Sequence, residues 1–132
     1  MAEFDINLGE VQYKPPLPVG QYTFAIIKAA PEQAKEPNKR SGEREWYIKC
    51  ELKPLEAQDY VVFHNWSLSM AALQVEDAAV SLKKLYDLMG YPVGSKINTD
   101  DLLQFRFVGQ TKLETFNGRL NPKLEKVLSK VN

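Results

Sequence analysis

The sequence predicts a mainly β fold: a five-stranded barrel with one helix between strands 3 and 4. Three features of the chain point that way. Bulky and polar residues alternate with period two in several separate runs. A single stretch, from Val75, changes to spacings of three and four. Asn117-Gly118, a pair suited to a tight hairpin, follows the longest alternating run. With 132 residues, 44% of them hydrophobic, one domain can bury a core without disulfides.

Residues 1–19 read as an extended arm ahead of a domain at 20–132. "KPPLPVG", Lys14 to Gly20, holds three prolines, which fix φ and lack an N–H donor. "GQYTFAIIKAA" is the first strand, Gly20 to Ala30, with Tyr22, Phe24 and Ile26 on one side. Pro31 to Arg44 reads as a long flexible loop, because it is mostly polar and carries Pro31, Pro37 and Gly42. "EWYIKCEL", Glu45 to Leu52, is the second strand. Its composition puts Trp46, Ile48, Cys50 and Leu52 on the core face and Tyr47, Lys49 and Glu51 outside. After a turn at Pro54–Asp59, Tyr60 to Ser69 is the third strand. Val61, Phe63, Asn65 and Ser67 form its more polar set, opposite Tyr60, Val62, His64, Trp66 and Leu68.

An amphipathic helix is expected over Val75–Met89, with Gly90 as its C-cap. Tyr91 to Asn98 is a connection containing Pro92 and Gly94, and "NTDDLL" adds a short helical turn. Gln104 to Phe116 is a long strand whose Gly109 marks a bulge or bend. The last segment offers two readings. Leu124, Val127, Leu128 and Val131 fall at helical spacing behind Asn121-Pro122, a good helix start. The hairpin at Asn117-Gly118, however, needs a partner for Gln104–Phe116, so a strand from Arg119 to about Leu128 is expected. Five strands with a helix between the third and fourth is the OB-fold arrangement.

Seventeen Lys and Arg balance seventeen Asp and Glu, so the formal net charge is 0. The balance is uneven along the chain. Residues 104–132 hold six bases against two acids, residues 28–53 hold seven against five, and residues 1–13 hold three acids and no base. A neutral protein can present a positive face if the two basic regions meet. One cysteine and one histidine exclude an internal disulfide and leave no Cys/His zinc spacing. The chain has no Walker loop, no dinucleotide glycine motif and no nucleophile elbow, so neither catalytic residues nor a cofactor are expected. The opening residues lack the apolar run of a signal peptide, and no apolar stretch is long enough to span a bilayer. The expected compartment is therefore the cytoplasm.

"LPVGQYTFAIIKAAP", "REWYIKCELK", "VVFHNWSLS", "SLKKLYDLMG" and "ETFNGRLNPKLEKVL" are similar, in order and spacing, to the phage-encoded OB-fold single-stranded-DNA-binding proteins, long labelled a domain of unknown function. The likeness spans about residues 17–128. It implies an OB barrel that binds single strands without sequence preference in phage DNA replication or recombination, in the host cytoplasm. It also supports the strand reading of residues 119–128. Replication or recombination proteins would be its partners. Many single-strand binders end in an acidic tail, whereas this sequence ends in the basic "KVLSKVN", so tail-mediated recruitment is not expected.

Such binding needs π-faces for bases and cations for phosphates. The candidate contact residues are Tyr47 and Lys49 on the second strand, Phe63 and Asn65 on the third, and Lys39, Arg40 and Arg44 in the loop. Arg106 and Lys112 on the fourth strand, with Arg119 and Lys123 beyond it, would extend the positive path. His64 reads as a hydrogen-bonded structural residue or a stacking one, Cys50 as a small core residue, and Asp100-Asp101 as the acidic start of a helical turn. The competing function is a protein-interaction OB module without nucleic acid, marked by an apolar patch where Tyr47, Lys49 and Phe63 sit. The proline-rich arm leaves open packing on the barrel or on a second copy in a homodimer.

Overall fold

The computed structural model describes residues 2–10, 13–91 and 96–131. Seven main elements follow in order: β1 (Gln21–Gln33), β2 (Trp46–Pro54), β3 (Val62–Ser67), α1 (Met70–Leu73), α2 (Leu82–Met89), β4 (Arg106–Phe116) and β5 (Arg119–Lys130). The protein is mainly β, with one antiparallel five-stranded sheet in the order β3-β2-β1-β4-β5. β1 is central. It pairs with β4 over Gln21–Ala25 and with β2 over Phe24–Gln33, through a bulge between Ile26 and Lys28. The two end strands, β3 and β5, come back within reach of each other. The curled sheet thus encloses one core, in which Phe24, Ile26, Ile48, Leu52, Trp66 and Phe107 are fully buried. No helix among the described residues is long and apolar enough to cross a membrane.

Local chemistry explains most element ends. Past Ala25, β1 has lost its β4 neighbour, so Pro31 can sit in the strand without costing a ladder bond on that side. β1 therefore runs to Gln33, three residues beyond the expected end at Ala30, and the loop is shorter for it. β2 matches the expected strand closely, while β3 is shorter than Tyr60–Ser69. Asn117 and Gly118 adopt φ of 52° and 74°, the left-handed conformation that a two-residue hairpin requires. Gly90 closes α2 at φ 81°, its N–H donating to the Asp87 carbonyl at 3.1 Å. A 3-10 turn at Thr99–Leu102 occupies the expected short turn. Part of the connection expected over Tyr91–Asn98, at residues 92–95, lies outside the described residues.

Gly109 is required by packing. A Cβ there would sit 2.8 Å from Leu124 Cδ1, 3.0 Å from a Phe24 ring carbon and 3.1 Å from one of Phe107. The same region explains the helix-like spacing of the last segment. β5 is a strand with two irregularities against β4, one between Val108 and Gly109 and one between Gln110 and Thr111. Thr111 pairs with Leu124, Gly109 with Val127, and Phe107 with Lys130. Each skipped residue turns a spacing of two into three, so inward positions recur as in a helix. Lys130 takes the next such position but is exposed at the end of the sheet, and its Nζ donates to the Met89 carbonyl at 3.4 Å, placing a cation at the C-terminus of α2.

The helix expected over Val75–Met89 is half as long: α2 begins at Leu82, and a separate single turn, α1, precedes it. Val75, which the helical spacing would place on the buried face, is 39% exposed. The reason is non-local. The Trp66 indole N–H donates to the Ala78 carbonyl at 2.8 Å, and His64 Nε2 donates to the Ala79 carbonyl at 2.7 Å. Asp77 takes the Ala79 N–H at 2.8 Å, and Ser81 caps α2 through the Lys84 N–H. With these groups taken, residues 77–81 close only a single turn, in which the Asp77 carbonyl accepts from the Val80 and Ser81 N–H groups at 3.0 and 2.7 Å, and α2 starts after it. The arm is likewise only partly extended, with a 3-10 turn at Leu8–Glu10. Its end is anchored by buried Leu17, by the Lys14–Asp59 ion pair at 3.5 Å and by the Tyr60 hydroxyl donating to the Pro15 carbonyl at 2.7 Å.

Cys50 is buried, and burial pushes its thiol up to about 12, so it stays protonated and packs as a small hydrophobe. Burial pulls the His64 imidazole down to about 4. Because a carbonyl can only accept, the Nε2 proton is present and the ring is neutral. In the unfolded chain the imidazole titrates near ~6.5. The unfolded state therefore binds the extra proton between the two values, and stability rises with pH across that window. This contribution is whole above the unfolded value, is lost as pH falls through about 4, and is on the order of 3 kcal/mol. His64→Gln keeps a donor for Ala79 but cannot titrate. Urea unfolding at neutral and at acidic pH should show the wild type losing more stability than the variant. Equal losses would mean that His64 is not proton-linked to folding.

Candidate nucleic-acid interface

Alternation along β2 and β3 sorts their side chains into two faces. Ile48, Cys50, Leu52, Val62 and Trp66 are buried inside. Tyr47, Lys49, Glu51, Phe63, Asn65 and Ser67 therefore share the outer face. The register sets Tyr47 opposite Ser67, Lys49 opposite Asn65, and Glu51 opposite Phe63. The expected partners Lys49 and Asn65 are thus direct neighbours, whereas Tyr47 and Phe63 stand two rows apart, ~13 Å along the strands. Phe63 is 52% exposed, unusual for a phenyl ring with no covering element. The Tyr47 hydroxyl donates to a Glu32 carboxylate oxygen at 2.7 Å, which holds the ring in place and raises its pKa.

A second group lies at the rim. Lys39, Arg40 and Arg44 in the β1–β2 loop line a cleft of about 1030 Å³ with Trp46, Leu68 and Met70. Arg44 is fixed by its Nε–H donating to the Ala34 carbonyl at 2.8 Å, and the Asn38 side chain orders the turn by accepting from the Arg40 N–H at 2.8 Å. Glu43 and Glu45 share this cleft, so its positive excess is small. Trp46 corrects the expected core face: it is 48% exposed. Its alternation is correct, but it opens β2 at the end of the sheet, past the point where the interior is filled.

A third group was not anticipated. Phe63 lines a groove of about 470 Å³ with Phe116, Pro122 and Lys123, between β3 and the β4–β5 hairpin. Phe116 is 68% exposed. Its one signal in the sequence is an aromatic placed directly before Asn117-Gly118, where a hairpin tip has no core to enter.

The remaining candidates are less well placed. Lys112 is held by Glu114 at 2.9 Å, and that bond keeps the Glu114 carboxyl below its usual value. Arg106 lies on β4, two strands from β2, in a hollow with Met89, Tyr91 and Lys130, and so apart from the Tyr47–Phe63 face. Arg119 stacks its guanidinium over the Tyr13 ring at 4.6 Å. By contrast, Lys39, Arg40, Arg44 and Lys49 form no ion pair among the described residues, whereas Lys28 pairs with Glu51 at 3.5 Å. The arrangement defines a class: a five-stranded antiparallel β protein whose outer face carries exposed aromatics flanked by unpaired cations. The chain matches no protein-family model, and no curated protein matches it in sequence.

Proposed function

We propose that this is an OB-fold single-stranded-DNA-binding protein that takes any sequence by stacking bases and neutralising phosphates. The sheet order supports an OB barrel, since β3 and β5 are the two strands that such a barrel would bring together. The resemblance of residues 17–128 to phage single-strand binders supports a setting in phage replication or recombination. One observation carries the binding reading: Tyr47, Lys49, Asn65 and Phe63 lie on one uncovered face between the basic loop and the Phe63–Phe116 groove. A strand crossing that face would meet Trp46 and the loop cations at one end and Phe116 at the other. In OB-folds this face and its flanking loops are where oligonucleotides bind.

The test is a titration with labelled oligo-dT, duplex DNA and single-stranded RNA across a salt series. Binding of oligo-dT with little duplex binding is expected. If Lys39, Arg40, Arg44 and Lys49 each neutralise a phosphate, log K should fall against log salt with a slope of about −3. No binding to any oligonucleotide at low salt would overturn the reading. The second reading, a protein-interaction module, is favoured by the carboxylates Glu32 and Glu51, which offset Lys28 and Lys49 on the same sheet face. It would then take over, with a protein partner on the Phe63–Phe116 groove.

A further inference from the structure

The arm carries an unsatisfied apolar stripe. Phe4, Ile6 and Leu8 are 79%, 64% and 77% exposed. In the free arm Leu8 opens a 3-10 turn and the Ile6 N–H donates to the Phe4 carbonyl, but drawn out as a strand the segment would put all three on one side, because they alternate with Asp5 and Asn7. Scattered exposed hydrophobes are ordinary, but three within five residues form a patch that calls for a partner.

A matching receptor lies elsewhere on the fold. A groove of about 380 Å³ runs beside α1 and α2, walled by Leu68, Met70, Leu73, Tyr86 and Ile97, with Lys83 at its rim. Met70 and Ile97 are 71% and 44% exposed. The charges are complementary. Residues 1–13 hold Glu3, Asp5 and Glu10 and no base. Among the described residues that line the groove the one charged side chain is Lys83, which also meets Asp87 at 3.5 Å.

Reach decides whose arm fills the groove. The arm leaves the sheet where β3 begins, tied there by Lys14 to Asp59 and by Pro15 to Tyr60. The groove starts at Leu68, beyond the far end of β3. β3 itself spans ~17 Å. Leu8 is six residues from the Lys14 anchor, ~20 Å at full extension, with almost nothing left for the path around the barrel or into the groove. Phe4, Ile6 and Leu8 therefore cannot all seat in their own groove. We propose that the Phe4-Ile6-Leu8 arm of one copy docks in the α1–α2 groove of a second copy, joining chains by exchanged or head-to-tail arms.

The test is sedimentation of the full chain without nucleic acid, from micromolar to millimolar protein, so its outcome is independent of strand binding. The wild type should self-associate. A variant with Phe4→Ser, Ile6→Ser and Leu8→Ser should raise the dissociation constant at least about 30-fold. Those side chains are exposed in the single chain, so at concentrations where both proteins are dissociated its melting temperature should match that of the wild type. Ile97→Asp should weaken association as much, by removing a wall and repelling the acidic arm. Mixing the two variants should restore association between them, because one keeps a sound groove and the other a sound arm. A wild type that stays monomeric at millimolar concentration would overturn the proposal. So would an arm variant that associates like the wild type, or a mixture that fails to recover.

Discussion

Phe63→Ala is expected to weaken oligo-dT binding roughly 5- to 150-fold, the equivalent of the ~1–3 kcal/mol that a stacked base contributes. The ring is half exposed and packs under no other element, so the variant should unfold at nearly the same urea concentration as the wild type. Binding and stability are thereby separable, and a loss of affinity can be read as lost stacking. Phe116→Ala should have a similar effect through the same groove. If one base sits between the two rings, the double variant should lose less than the sum of the single losses, because the second substitution finds the base already freed. Lys112→Ala provides a contrast: its charge is held by Glu114, so it should change affinity and salt slope little. Unchanged affinity in Phe63→Ala and in the double variant would move the strand off this face altogether.

Trp66→Ala is expected to destabilise the fold by about 3–5 kcal/mol, near the top of the range for single substitutions. The indole is fully buried between the sheet and residues 77–81, and it meets the His64 ring edge-on at 4.3 Å between centroids. Alanine would leave a large cavity and strip the Ala78 carbonyl of its donor. Trp66→Phe isolates the second effect. It fills most of the space but still leaves that carbonyl unpaired, a cost of about 1–3 kcal/mol. Urea unfolding separates the two magnitudes. Trp66→Phe also leaves Trp46 as the single tryptophan, a surface reporter in the basic cleft. A Trp66→Ala variant within about 1 kcal/mol of the wild type would mean that the core closes around the deletion, against the usual behaviour of rigid interiors.

Much of the sheet was legible in the sequence because strand geometry is written locally. Alternation in "YIKCEL" and "VFHNWS" separates two faces without knowledge of any partner, and Tyr47, Lys49, Phe63 and Asn65 emerge together on the outer one. Asn117-Gly118 needs only its own φ preferences to turn the chain, and that turn overrode the helical spacing of Leu124, Val127 and Leu128. The cations of the loop are likewise a matter of composition.

What the sequence left open depends on atoms distant along the chain. The stretch from Val75 has helical spacing, but Trp66 and His64 of β3 claim the Ala78 and Ala79 carbonyls, and helix waits until Ser81 can cap it. Trp46 has the alternation of a core residue, but alternation assigns a face and not a depth, and the sheet ends where Trp46 begins. Phe116 joined Phe63 only because the sheet curls until the hairpin tip meets β3. Period and turn chemistry act over a few residues, so the sequence alone determined the strands, their faces and the hairpin. Carbonyl capture, depth and the meeting of distant edges are set by how the sheet closes on its core, and those the tertiary structure decided.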